Sequence, residues 1–141
     1  MTTLILSNAL RERIAREARA AFPRECCGLM EGVCEDDVMR VTALHPARNL
    51  SQDDDRFEID PADHFRALRA ARANGGDIIG CYHSHPNGRA QPSERDRDGE
   101  TGFLWLIAAV SGAEVSLSVF RRGGGGWQML EMEPESAGKA A

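Results

Sequence analysis

Positive charge is in short supply in this sequence. Seventeen lysines and arginines face 22 aspartates and glutamates for a formal net charge of -5, and the arginines are scattered among carboxylates instead of forming a stripe. Such a chain carries no strong field for a polyanion, so nucleic acid is not an expected partner. Long hydrophobic runs are missing as well. The longest strongly apolar stretch, Phe103 to Val110, is too short to span a bilayer, and the N-terminal MTTLILSNALRER lacks the basic region and long apolar core of a secretory signal. A soluble, cytoplasmic protein without a membrane partner is the expectation. Cysteine is sparse and poorly placed for a disulfide scaffold, with four residues at positions 26, 27, 34 and 81, two of them adjacent. They read as thiols, and the absence of a CxxC pair argues against a separate sulfur metal site. No internal repeat and no second-domain boundary is visible.

What is present suits one domain. A chain of 141 residues buries about two thirds of the surface its unfolded form exposes, enough to fold without staples. Residues 1–135 are expected to form that domain, with 136–141 as a frayed tail. TTLILS reads as a short strand or a hydrophobic lead-in. A helix is expected from Ser7, a plausible N-cap, to Ala21, burying Leu10, Ile14, Ala18 and Phe22 before Pro23 stops it. CGLMEG and DVMRVTAL read as strands separated by the turn-like EGVCEDD, and the polar residues 45–60 as a surface loop with a short strand near Arg56 to Ile59. Asp60-Pro61 with Asp63 opens a second helix that stops at Gly75-Gly76 and buries Phe65, Leu68 and Ala71. Asp77 to Tyr82, Phe103 to Val110, Glu114 to Arg121 and WQMLEME complete the strands, the last two joined across glycines 123 to 126. The pattern gives an α/β (α+β) class, a mixed β-sheet flanked by helices.

The chemistry concentrates after the strand at residue 77. His83 and His85 lie two apart, so continued strand geometry puts both imidazoles on one face, where a metal can bridge them. Pro86 ends the strand, and Pro92-Ser93-Glu94-Arg95-Asp96 resembles the first turn of another helix. Asp96 can add a carboxylate oxygen, completing a two-histidine, one-carboxylate set with a fourth position open to water. Taken singly, each residue also has an ordinary reading: surface histidines, an N-capping Ser93, a solvated Glu25 at a helix end. His45 and His64 read as surface or partly packed, Asn49 as lining the approach to the site, and Asp53 to Asp55 as a solvated charge run.

The set as a whole is similar to a known family. His83-Ser84-His85-Pro86, six residues, Ser93, two residues and Asp96 resemble the signature of the JAMM (MPN-plus, JAB) metallopeptidases, and Glu25-Cys26-Cys27-Gly28 resembles the upstream element of its prokaryotic members. The flanking RFEIDP and GCYHSHP extend the likeness over most of residues 7–110. The resemblance implies a cytidine-deaminase-like architecture and one catalytic Zn2+ held by His83, His85 and Asp96. It further implies Glu25 as general acid/base and Ser93 as stabiliser of the tetrahedral oxyanion. The implied reaction is hydrolysis of an amide or isopeptide bond, and the implied partner a ubiquitin-like or sulfur-carrier protein with a Gly-Gly tail. A zinc hydrolase of small peptides or amides, and a noncatalytic protein-binding module, stand as alternatives.

Overall fold

The computed structural model describes residues 2–93 and 103–135. Among these residues, seven strands and two helices occur in the order β1 (Thr3–Ile5), α1 (Asn8–Ala21), β2 (Cys27–Glu35), β3 (Val38–Ala47), α2 (Pro61–Ala73), β4 (Asp77–His85), β5 (Leu104–Ser111), β6 (Glu114–Gly123) and β7 (Gly126–Glu133). The strands form one mixed sheet in the order β1-β3-β2-β4-β5-β6-β7, closed into a barrel because β1 pairs in parallel with both β3 and β7. β4 and β5 are also parallel, and the remaining neighbours run antiparallel. The expected α+β sheet flanked by helices is therefore observed, with the addition that the sheet closes.

Each helix covers its own face of the sheet. α1 starts at Ser7, whose side chain accepts from the Leu10 N–H, and buries Ile14 and Ala18 in the main core with Leu4, Leu6, Met30, Tyr82, Leu106 and Val119. α2 starts at Asp60, which caps Ala62 N–H at 2.9 Å with Pro61 in the first turn. It packs Ala67 on a second cluster with Leu29 and Cys81, flanked by Phe57, Ile59, Phe103 and Trp105.

Several expectations need correction. Phe22 and Phe65 are 55% and 60% exposed and belong to no core. α2 lies close to the sheet, so its buried positions are the small Ala67 and Ala71, while the Phe65 ring stays outside beneath the Arg69 guanidinium. Residues 31 to 35 continue β2 through an irregularity at Glu31/Gly32, and the turn narrows to Asp36-Asp37, with Asp36 at φ 54. Gly32 is required there, because a Cβ would sit 2.3 Å from the Arg40 carbonyl oxygen. The short strand near Arg56 to Ile59 reduces to one bridge between Asn49 and Ile59.

Pairing direction determines where the chemistry can sit. β2 runs antiparallel to both β3 and β4, with Cys27 opposite Ala47 on one side and His83 on the other. The entry to β2, the exit of β3 and the exit of β4 thus meet at one end of the barrel. These exits carry Glu25, the 48–60 loop, and His83 with His85.

Candidate metal centre

β4 continues through His85 instead of stopping at Tyr82, so both histidines lie on a strand, not in a loop. Alternation sends Tyr82 into the main core and puts His83 and His85 on the opposite face. Their Nε2 atoms are 3.0 Å apart, and both side chains are buried. His85 Nδ1 lies 2.9 Å from the Arg89 carbonyl oxygen. A carbonyl only accepts, so Nδ1 carries the proton and Nε2 is the lone-pair nitrogen directed at His83.

Glu25 joins them from the entry to β2. Its carboxylate and the two histidine nitrogens all lie within 4.8 Å of one another, and Glu25 is only 5% exposed. The backbone that delivers it is held on two sides. Ser84 Oγ accepts from the Cys26 N–H at 2.7 Å and the Ser84 N–H donates to the Cys26 carbonyl at 3.1 Å. Asn49 Nδ2 donates to the Glu25 carbonyl at 3.0 Å, and Arg24 donates to the Ser51 carbonyl. Ser84 therefore orients Glu25 across the sheet, and Asn49 braces it from the 48–60 loop.

Aromatic rings fix the plane of His83. Phe57 stacks on the imidazole at 4.3 Å between centroids and 21°, and Trp105 meets it edge-on at 5.6 Å, backed in turn by Trp127. Neither Phe57 nor Trp105 was singled out by sequence. Their signal was faint: a phenylalanine in a polar loop, and a tryptophan in register with Cys81 on the histidine face of β4.

A cleft of about 390 Å³ opens beside this group, lined by Phe22, Pro23, Glu25, Asp54, Asp55, His85, Pro86, Asn87 and Ser93. Three of the five site residues expected from sequence, Glu25, His85 and Ser93, thus line one space, and His83 joins them through its Nε2, 3.0 Å from that of His85. The fifth, Asp96, lies outside the described residues. Asp54 and Asp55 form a wall of the cleft, while Asp53 pairs with Arg56 at 3.8 Å, so the charge run is split between site and surface. His64 is exposed as expected. His45 is partly packed, also as expected, with its Nε2 2.8 Å from the buried carboxylate of Glu31, to which Asn74 also donates.

The donor set fits a zinc ion. Two nitrogens bound at about 2.0–2.1 Å with tetrahedral angles stand about 3.3 Å apart, close to the 3.0 Å observed between the Nε2 atoms. Among the described residues the third donor within reach is Glu25. The neighbouring thiols do not compete as nucleophiles. Burial, opposed by the Ser84 hydrogen bond, pushes Cys26 up to about 11, and burial with the nearby Cys26 and Glu25 charges pushes Cys27 to about 12. All four cysteines are free.

Comparison with known proteins identifies the family. Residues 7–122 match the family of prokaryotic homologues of the JAB domain. A desampylase of Haloferax volcanii is 36% identical over 102 residues, covering 70% of this chain and 72% of the relative. A probable TtuB-protein conjugate cleaving protease of Thermus thermophilus is 34% identical over 109 residues, 76% of this chain and 68% of the relative. A solution structure of a protein from Desulfitobacterium hafniense superposes with a TM-score of 0.83 at 28% identity, covering 99% of this chain and 97% of that one. With the family matched over residues 7–122, which run from α1 through β5 and most of β6, the chain belongs to the prokaryotic homologues of the JAB domain, the JAMM/MPN family.

Proposed function

We propose that this chain is a zinc-dependent hydrolase that cleaves an amide or isopeptide bond, after the C-terminal Gly-Gly of a ubiquitin-like or sulfur-carrier protein. The observation that carries the reading is the convergence of His83 Nε2, His85 Nε2 and the Glu25 carboxylate within 4.8 Å, buried at the edge of an open cleft. The substrate class rests on the relatives, one of which is named for cleaving protein conjugates. Among the described residues no helix is long and apolar enough to cross a membrane, and the field of the chain does not favour nucleic acid.

His83, His85 and Asp96 are the residues that hold the ion. Bound zinc supplies a Lewis acid that acidifies water and polarises a carbonyl. Glu25 takes the proton of the attacking water and returns it to the departing amine, a duty that suits a carboxylate beside, and not on, the metal. The Ser93 hydroxyl donates to the carbonyl oxygen as it becomes negative, and removing such a donor typically costs about 10²–10³ in rate. Phe22, Pro23 and Pro86 give the cleft an apolar side along which a thin tail can lie.

The test is mass spectrometry of zinc-loaded protein incubated with carrier proteins bearing a single residue or short peptide after Gly-Gly, with a chelator-treated control. Zinc-dependent release after the second glycine is expected. Release from short peptides without the folded carrier would point to a small-amide hydrolase, and no cleavage by zinc-loaded protein on any of these would return it to a binding module. Glu25→Gln separates base from ligand. It is expected to keep zinc and lose about 10²–10⁴ in turnover, whereas loss of zinc would make Glu25 a ligand.

A further inference from the structure

Ser118, in β6, is a polar residue on the histidine face of the sheet. His83 is in register with Ile107 of β5, and Ile107 with Ser118, so the three form one row across the sheet and point the same way. The Ser118 hydroxyl donates to the Ala90 carbonyl at 3.0 Å. One residue earlier, the Arg89 carbonyl accepts from His85 Nδ1 at 2.9 Å. The turn between is held by two local bonds, Gly88 N–H to the His85 carbonyl at 3.1 Å and Arg89 N–H to Asn87 Oδ1 at 2.9 Å. Asn87, Gly88 and Arg89 are all exposed, and Gly88 sits at φ 80. Local bonds in water give such a turn little rigidity. The bond from Ser118 ties it to the barrel.

We infer that Ser118 is a positioning residue for the metal centre: by anchoring Ala90 to β6 it holds the adjacent Arg89 carbonyl against His85 Nδ1, and so selects the tautomer whose Nε2 lone pair faces His83. A neutral imidazole carries its proton on either nitrogen, and a proton on Nε2 occupies the position a metal needs. The same anchor sets the path of the chain towards Ser93, which lines the cleft. This inference rests on the metal reading proposed above.

Two measurements test it on Ser118→Ala, Ser118→Thr, Ser118→Val and, as control on the same strand, the exposed Ser116→Ala. Long-range ¹H–¹⁵N correlation spectra of the metal-free protein report the His85 tautomer, and competition with a chromophoric chelator reports zinc affinity. The wild type is expected to show His85 protonated at Nδ1. Ser118→Ala and Ser118→Val should show mixed tautomers and about tenfold weaker zinc binding, the low end of what outer-shell substitutions cost. Ser118→Thr should restore both readings, and Ser116→Ala should match the wild type. Thr and Val have the same shape, so that pair separates the hydroxyl from packing if alanine disturbs the fold. An unchanged tautomer in Ser118→Val, whatever its zinc affinity, overturns the inference. If the wild type itself binds no zinc, the metal reading fails, and the tautomer comparison still decides the role of Ser118.

Discussion

At the scale of single residues, the site depends on side chains that bond to backbone far away in sequence. Asn49 combines one such bond with three nearer ones. Its Nδ2 donates to the Glu25 and Arg56 carbonyls at 3.0 and 3.3 Å, and its Oδ1 accepts from the Ser51 and Glu58 N–H groups, each at 2.9 Å. One side chain therefore closes the loop that brings Phe57 onto His83 and braces Glu25 as well. Asn49→Ala should cost about 2–3 kcal/mol in urea denaturation, since backbone groups are left without their partner. It should also lower kcat more than KM, because Glu25 shifts while the cleft wall stays. The sequence pointed to Asn49 only as lining the approach, for hydrogen bonds spanning tens of residues leave no periodic trace. The motif residues were legible for the opposite reason: alternation along a strand fixes His83 and His85 relative to each other without any knowledge of the fold. Glu17 and Tyr82 illustrate a second long-range pair, with the Tyr82 hydroxyl donating to Glu17 Oε1 at 2.8 Å. Burial pushes the Glu17 carboxyl above its ordinary value, outweighing the Tyr82 hydrogen bond and Arg13. The folded state therefore binds the proton more tightly than the unfolded one, and stability falls as pH rises from the ordinary glutamate range through the raised value. Glu17→Gln, which still accepts from Tyr82, should flatten that fall and leave the variant more stable than wild type at neutral pH, read as denaturation midpoints across a pH series.

At the scale of elements, β4 carries the site and its glycine shows how. A Cβ at Gly80 would sit 2.4 Å from the Leu104 carbonyl oxygen and 2.9 Å from its carbonyl carbon, both backbone atoms that no rotamer change can move. Gly80→Ala must push β4 away from β5, at about 1–3 kcal/mol by the usual cost of overpacking. Because His83 and His85 lie further along the same strand, the shift should also weaken zinc binding, measured in the same chelator competition; unchanged affinity would show that the two ends of β4 move independently. Element positions were largely readable, since both helices announce themselves with a capping residue, Ser7 and Asp60, and the apolar runs mark β4 and β5. The buried faces were not. Phe65 has the spacing of a core residue, but a helix lying close on a sheet selects alanine, and that closeness is a property of the partner surface.

At the scale of the whole molecule, the least legible feature is the closure of the barrel. β1 has three paired residues, and they join Val38 to Arg40 on one side and Glu131 to Glu133 on the other. Parallel pairing between chain ends separated by most of the sequence is invisible to local pattern. Its location nevertheless predicts a separation of stability from function. β1 meets β3 at its start, whereas the metal centre lies by Ala47 at its end. At about 3.3 Å per residue, the seven steps from Arg40 to Ala47 put roughly 23 Å between them. Leu4 is fully buried at the closure, so Leu4→Ala should cost about 2–4 kcal/mol in urea denaturation while zinc affinity of the folded protein stays within about twofold. Deleting residues 1–6 goes further, because it uncovers the start of β3 and the end of β7 as unpaired edges. That variant should associate at micromolar concentration in light scattering. If Leu4→Ala weakened zinc binding in proportion to its loss of stability, the barrel would have to be treated as one cooperative body, with strain at the closure carried along β3 to the histidines. A centre that keeps its affinity in a weakened barrel would instead place its rigidity in the local contacts: the Ser84 and Asn49 bonds to the Glu25 segment, and the Phe57 stack on His83.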